Sequence, residues 1–490
     1  MSILKKLASQ TAIYGLSSIF GRFLNYLLVP LYTYYFTAAE YGVVSEFYAY
    51  AGFFSVFLLF GFETGYFRFR DKEKPQRDKT YSTALIFIIL INISFFGLIL
   101  LINSQLSAAL HYANHPEYLR WFSIILILDA IGSIPFARLR AENKALRFAS
   151  VKVIEILTTI ALSLLFIVYC PKLAAQHSYP ELDLIYDPAI GVGYIFIANL
   201  CASIVKFLLL TPQLKGLCWG FDWQLFKRLL LYCLPMVVIG FAGIINEMLD
   251  RALLKYLLPY DTQTNLKMLG IYGACYKLSI LMSLFIQAFR YAAEPFFFAY
   301  SDKNDATKVY AQVLKFFVIF CVFIFLLVTL YIDFFKYFIG KEFRAGLEVV
   351  PILLMANLCL GIYVNLSIWY KLTDRTGLGA FVSLAGAVLT VILNLYWIPL
   401  YGYVGSAWAT LACYAGMAIV SYLLGRKYYP VAYDVMRVLG YIGLGVGLYF
   451  ANQRLLEFVG WQPWIFASAL MLLYLLITAL FEGRQLKKSR

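Results

Sequence analysis

The sequence predicts an all-α polytopic membrane protein of about 14 transmembrane helices, built as two pseudo-symmetric six-helix halves plus two C-terminal helices. Three observations carry that prediction. Of 490 residues, 62% are apolar and 14% charged, against about 45–50% and 25% in ordinary soluble domains. Apolar stretches of about 20 residues, enough to cross a hydrocarbon core about 30 Å thick, follow one another almost end to end. Short motifs recur at a nearly constant offset, as in an internal repeat. Runs such as Ala84 to Ile102 and Val313 to Tyr331 are apolar on every face, which excludes the alternating strands of an outer-membrane barrel.

Charges and Pro, Gly or Asn turns set the span limits. The first half holds spans 11–36, 41–66, 81–104, 117–137, 149–170 and 188–211, and the second holds 229–257, 268–297, 311–334, 347–370, 377–398 and 403–425. Spans 435–453 and 463–481 follow. The expected organisation is therefore residues 1–215, 222–427 and 428–490. The longest connectors, Pro171 to Asp187 and Thr211 to Lys227, are too short to be domains, so any chemistry belongs in or at the membrane. Lys5 and Lys6 precede a long apolar stretch without a short h-region and cleavage site, so the first helix is expected to be retained.

Net charge is +14. Counted over alternate loops, the side carrying the N-terminus has 29 Lys and Arg and the opposite side 8, which puts both termini in the cytoplasm by the positive-inside rule. The charge is mostly a topology signal, and no localised basic domain suggests nucleic acid. The eight cysteines show no CxxC spacing, so neither disulfide nor zinc site is expected. His111 and His115 are spaced i,i+4 without a third ligand nearby, no metal site is assigned, and no Walker A motif is present.

The repeat rests on three echoes. Arg22-Phe-Leu-Asn-Tyr-Leu-Leu-Val-Pro30 and Arg251-Ala-Leu-Leu-Lys-Tyr-Leu-Leu-Pro259 lie 229 residues apart, Glu40-Tyr-Gly-Val-Val-Ser and Met268-Leu-Gly-Ile-Tyr-Gly 228, and Arg138 to Lys144 and Trp369 to Arg375 231. Because six is an even number of spans, both halves enter from the same side, related by an axis along the membrane normal.

Four cations remain inside spans: Arg22, Arg251, Lys277 and Arg290. A charge near mid-bilayer costs at least about 2.5–3.5 kcal/mol, so each needs a partner or a wet cavity. Thr11, Gly15, Ser18, Arg22, Asn25, Tyr26 and Thr33 share one stripe of the first span, which reads either as a small-residue packing seam or as a cavity wall. Gly240, Ile244, Glu247, Arg251 and Lys255 form a second stripe, in which Glu247 and Arg251 are either an internal salt bridge or a pair that changes partners. Pro235 predicts a kink in that span. Arg290 could bind substrate or snorkel. Carboxylates in or at the ends of spans are Glu46, Glu63, Asp129, Glu155, Glu247, Asp250 and Glu294, with Lys152 and Glu155 expected to pair at i,i+3. One left unpaired could carry a proton or ligate sodium. Tyrosines crowd the first outer turn, as an interfacial belt or as faces for stacking on sugars.

The opening Lys5-Lys6-Leu-Ala-Ser-Gln-Thr-Ala-Ile-Tyr-Gly15 and the segment Asn394-Leu-Tyr-Trp-Ile-Pro-Leu-Tyr-Gly-Tyr-Val-Gly-Ser-Ala-Trp-Ala-Thr410 resemble bacterial polysaccharide-biosynthesis flippases (Wzx-type, as for O-antigen) of the multidrug/oligosaccharidyl-lipid/polysaccharide exporter superfamily. Phe289 to Phe298 and Trp369 to Asp374 are similar to a subgroup of them. The resemblance implies a transporter rather than an enzyme, with no catalytic residue and no cofactor beyond a coupling H+ or Na+. It moves undecaprenyl-pyrophosphate-linked oligosaccharide across the bacterial cytoplasmic (inner) membrane. Glycan polymerase and glycosyltransferases are the implied partners, besides membrane lipid. Arg22, Asn25, Tyr26, Arg251, Lys277 and Arg290 are then candidates for the pyrophosphate and cavity. Glu46, Glu63, Glu247, Asp250 and Glu294 are candidates for ion coupling or charge pairing. In related flippases two extra helices form a groove for the isoprenoid tail, which is what the last two spans would supply. The competing functions are a peptidoglycan lipid-precursor flippase, a multidrug antiporter and, from another class, a membrane glycan polymerase.

Overall fold

The computed structural model describes residues 19–72, 77–176, 186–215, 220–458 and 463–488. Thr11, Gly15 and Ser18 of the first stripe, the Lys5 to Gly15 opening, His177 and Cys218 lie outside them. The described residues contain helices and no strand. Fifteen of the helices are labelled here, and shorter helical turns join them. They are α1 (Leu28–Tyr35), α2 (Ala38–Leu59), α3 (Phe62–Lys72), α4 (Arg77–Ala109), α5 (Pro116–Ala141), α6 (Ala145–Leu164), α7 (Gly193–Leu210) and α8 (Trp223–Leu257). There follow α9 (Thr262–Leu278), α10 (Ile280–Tyr300), α11 (Ala306–Leu330), α12 (Val349–Leu366), α13 (Thr376–Tyr428), α14 (Val435–Phe458) and α15 (Pro463–Lys488).

Local chemistry explains where these helices begin and break. Thr37 and Glu40 form a capping box on α2, the Thr37 N–H donating to Glu40 Oε2 at 2.9 Å. The break between α2 and α3 falls at Phe60 and Gly61, both at positive φ. Asp222 caps α8 by accepting from the N–H groups of Gln224 and Leu225. α8 then continues through Pro235 for 35 residues. α9 and α10 are bent by 48° at the break between them.

Among the described residues eleven helices are long and apolar enough to span a bilayer, or twelve with the bent pair as one span. That is fewer than the expected 14, for two reasons. The first expected span starts outside the described residues, and the eleventh and twelfth fall in α13. A straight helix of 53 residues would measure about 80 Å, more than twice a bilayer core. α13 instead folds back at Gly402, whose φ of 63° and ψ of −148° are open to glycine alone. Ser406 Oγ consequently meets Asn394 Oδ1 at 2.7 Å and the Cys413 thiol the Gly386 carbonyl at 3.3 Å, pairings only an antiparallel hairpin allows. A Cβ on Gly405 would overlap the Trp397 carbonyl, so the arms touch backbone to backbone. Leu90, Ile93, Leu98 and Leu101 of α4 are exposed, apolar surface that suits lipid acyl chains and not water. The chain is a multi-pass membrane protein.

The chain divides into two compact units, residues 1–270 and 271–490, with the boundary inside α9. In the first unit α5 packs on α4 and α7, α7 on α6, and α8 on α2. Its core joins Phe62, Tyr66, Leu85, Ile88, Ile134, Leu229 and Cys233. In the second, α11 packs along α14, and α12 packs along α13 around Trp369, Val382, Cys413, Tyr414 and Met417. The described cysteines are free thiols.

Candidate functional site

Two clusters of charge lie inside the first unit. On α7, Ser203 and Lys206 are one turn apart and face the same way. Lys206 is buried, its ammonium donating to Asp129 Oδ1 of α5 at 2.6 Å and to Glu155 Oε1 of α6 at 2.5 Å. Ser203 Oγ donates to the same Asp129 oxygen at 2.7 Å, and Lys152 reaches Glu155 Oε2 at 3.2 Å. Three helices thus converge on one cation, whose insertion would otherwise cost several kcal/mol.

Beside this cluster is a cavity of about 510 Å³, adjoined by a smaller one of about 120 Å³, both lined by Tyr48, Ala51, Leu126 and Asp129. The larger runs along α2 from Tyr48 to Leu59 and on to Glu63 of α3, and along α5 from Leu126 to Arg140. Glu63 and Arg140 are ion-paired at that end. Three cations (Lys152, Lys206, Arg140) and three carboxylates (Asp129, Glu155, Glu63) line the two cavities. Asp129 keeps 46% of its side chain exposed and Lys152 37%, so these charges are open to the cavity they line. Such a wall can donate to and accept from hydroxyls, with Tyr48, Phe136 and Phe148 as apolar faces.

The second cluster is dry. Glu46 of α2 has no exposed surface. Lys255 of α8 donates to both its oxygens, at 3.0 and 2.9 Å, Tyr50 Oη donates at 2.5 Å, and Tyr112 Oη donates as well. The Lys255 ammonium also reaches the Leu110 carbonyl at 2.7 Å and lies 4.2 Å from the Tyr112 ring centre. Burial and the Glu46 carboxylate push the Tyr112 hydroxyl above its ordinary value, which keeps it a donor. In the second unit, Glu482 of α15 pairs with Lys315 of α11 and accepts from Tyr441 of α14 at 2.8 Å, tying the last two helices to α11. Glu294 of α10 pairs with Lys371.

Against these clusters the sequence candidates fall as follows. Arg22 and Asn25 are exposed and Tyr26 is buried. Asp250 is buried and accepts from the Arg251 backbone N–H at 2.8 Å, Arg251 is half-buried, and Glu247 is exposed. Lys277 is half-buried in the last turn of α9, beside the bend, and Arg290 is exposed on α10. Glu46, Glu63 and Glu294 each have a cationic partner, and Glu63 and Asp129 line the larger cavity. Lys152 and Glu155 pair as the spacing predicts. Three buried lysines were counted with the loops: Lys206, Lys255 and Lys315. Lys206 and Lys255 sit within a few residues of a helix end and Lys315 close to the start of its apolar run, where a window bounded by charges stops short. The signal that marks Lys206 is the pair of carboxylates on neighbouring spans, Asp129 and Glu155, against which Lys152 is the one cation at helical spacing.

Comparison with known proteins places this geometry. The chain superposes on the lipid II flippase MurJ in an inward closed conformation with a TM-score of 0.75 and 16% identity, over 96% of this chain and 99% of that one. It superposes on a multidrug resistance MATE family transporter of the MOP superfamily with a TM-score of 0.59 for the inward-facing form and 0.60 for the outward-facing form, at 14% identity. These alignments cover 88% and 89% of this chain and 96% of the transporter in both cases. No curated protein matches the sequence. Residues 7–301, more than half of the chain, match the family described as polysaccharide biosynthesis protein. The fold is that of the MurJ and MATE transporters, and the chain belongs to the polysaccharide biosynthesis protein family.

Proposed function

We propose that this protein is a flippase that carries undecaprenyl-pyrophosphate-linked oligosaccharide from the inner to the outer leaflet of the bacterial cytoplasmic membrane by alternating access. The observation that carries the reading is the charge-lined cavity among apolar helices, in a chain whose family works in polysaccharide biosynthesis. A glycan head needs hydrogen-bond donors and acceptors along its path, and paired charges supply both without a net field. The lipid tail needs none and stays in the bilayer. Arg22, Asn25, Tyr26, Arg251, Lys277 and Arg290 are the proposed contacts for the pyrophosphate, through charge-assisted hydrogen bonds.

The two six-helix halves, 1–215 and 222–427, are the proposed moving bodies, with both termini in the cytoplasm. Transport is proposed to be driven by H+ or Na+ through membrane carboxylates, with glycosyltransferases supplying the substrate and a polymerase consuming it. A lipid II flippase is the second reading, favoured by the 0.75 TM-score to MurJ. Purified protein in liposomes with a fluorescent polyprenyl-pyrophosphate oligosaccharide tests both. Outer-leaflet exposure that is stimulated by an H+ or Na+ gradient and lost in Arg22→Ala supports the proposal. Exposure of lipid II alone selects the second reading.

A further inference from the structure

The residues 228 positions apart in the repeat meet each other in the fold. Gly42 of α2 corresponds to Gly270 of α9, and by the same offset Ala38 corresponds to Leu266. A Cβ on Gly42 would overlap the Leu266 carbonyl, and a Cβ on Gly270 would overlap the Ala38 carbonyl and stand 2.9 Å from Gly42 N. The contact is reciprocal, with residue i on one helix meeting j on the other and j meeting i, as at a two-fold axis. It is made by backbone against backbone. The approach depends on both glycines, because a Cβ on either would hold the helices apart.

One turn further along α2 lies the dry Glu46 cluster. Its charge is not duplicated: offset 228 puts Ala274 where Glu46 would recur, and offset 229 puts Tyr26 where Lys255 would recur. A symmetric contact is therefore locked by a single asymmetric ion pair. Asn265 of α9 extends the lock by donating to the Lys255 and Leu258 carbonyls at 2.9 and 3.0 Å. The 510 Å³ cavity starts at Tyr48, two residues past Glu46, and runs toward Glu63 and Arg140, on the order of 20 Å along the helix axis. The lock sits at the end of the cavity away from Glu63.

We propose that the Gly42/Gly270 contact with the Glu46–Lys255 pair is a gate that closes one end of the transport path and opens when that ion pair separates. The inference rests on the alternating-access reading above, but its test needs no substrate. In proteoliposomes of the full chain, Val43→Cys reports on the gate, since Val43 is buried beside Gly42. Its reaction with a charged, membrane-impermeant maleimide is followed by peptide mass, which separates it from the native cysteines. Glu46→Gln and Gly270→Ala, each added to Val43→Cys, should accelerate labelling about tenfold as the population shifts to the open state. The swap of Glu46→Lys with Lys255→Glu should bring it back toward the parent rate. Should Glu46→Gln disturb folding, judged by size-exclusion profile, Lys255→Gln serves in its place. Unchanged labelling in folded Gly270→Ala and charge-neutral variants would overturn the gate and leave static packing. Accelerated labelling in a protein that flips no polyprenyl-linked glycan would keep the gate and sink the substrate reading.

Discussion

Two lysines buried in the same unit are held in opposite ways. Lys255 faces one carboxylate, Glu46, whose oxygens are saturated by the ammonium, Tyr50 and Tyr112, and both side chains are fully buried. Lys206 is shared by two carboxylates, Asp129 and Glu155, and Asp129 opens onto a cavity large enough for several waters or sugar hydroxyls. A saturated dry pair has one arrangement, so it holds helices together until it breaks as a whole. A shared cation beside water has several, because either carboxylate can exchange its partner for solvent or ligand. The first is built to lock and the second to respond.

The largest expected effect breaks the dry pair. Glu46→Ala leaves Lys255 charged and unpaired and should cost about 3–5 kcal/mol, read as a large drop in the thermal midpoint in detergent. Adding Lys255→Met should return most of it, and a stability deficit that persists in the double variant would mean that the pair is not what holds α2 to α8. Lys206→Met removes the shared cation but leaves carboxylates that the cavity can hydrate, so about 2 kcal/mol is expected. If it matches the cost of Glu46→Ala, the cavity is not wet and the contrast fails. Single hydrogen bonds sharpen the same point. Tyr112→Phe takes a donor from a carboxylate with no access to water and should cost about 1.5 kcal/mol, whereas Ser203→Ala at the cavity edge should cost about 0.5.

The smallest effect lies outside the membrane, just past the end of α5. Burial raises the Glu142 carboxyl, but hydrogen bonds from Lys144 at 2.7 Å and Arg138 at 2.8 Å outweigh it and hold the group below its ordinary value. A depressed folded-state value contributes stability above the unfolded pKa of about 4.3, lost as pH falls through the folded one. The thermal midpoint should therefore decline below about pH 4 by the equivalent of about 0.5 kcal/mol. Glu142→Gln should flatten that part of the profile, and an unaltered profile would assign the decline to other carboxylates.

Much of the fold was legible because lipid imposes a simple rule. Every spanning segment must satisfy its own backbone, so length and apolarity mark helices almost one for one. The hairpin was readable too, since Pro399, Gly402 and Gly405 interrupt an apolar run too long for one pass. The site was harder. The Lys152/Glu155 pair follows from local spacing, yet Lys206 counts with a loop and Lys255 only as the end of a stripe, because a cation near a helix end looks the same whether it meets water or a carboxylate on another helix. Their partners are 51 and 77 residues away for Lys206 and 209 for Lys255.

By itself the sequence determined that the chain is helical and membrane-embedded and where most helices run, and it carries short echoes near offset 228. Those properties follow from composition and local periodicity, which need no knowledge of neighbours. Which charges are paired, where the charge-lined cavity opens and that Gly42 meets Gly270 were decided by the tertiary structure alone. Burial and pairing depend on contacts between distant segments, and a buried charge takes its meaning from the partner that the fold brings to it.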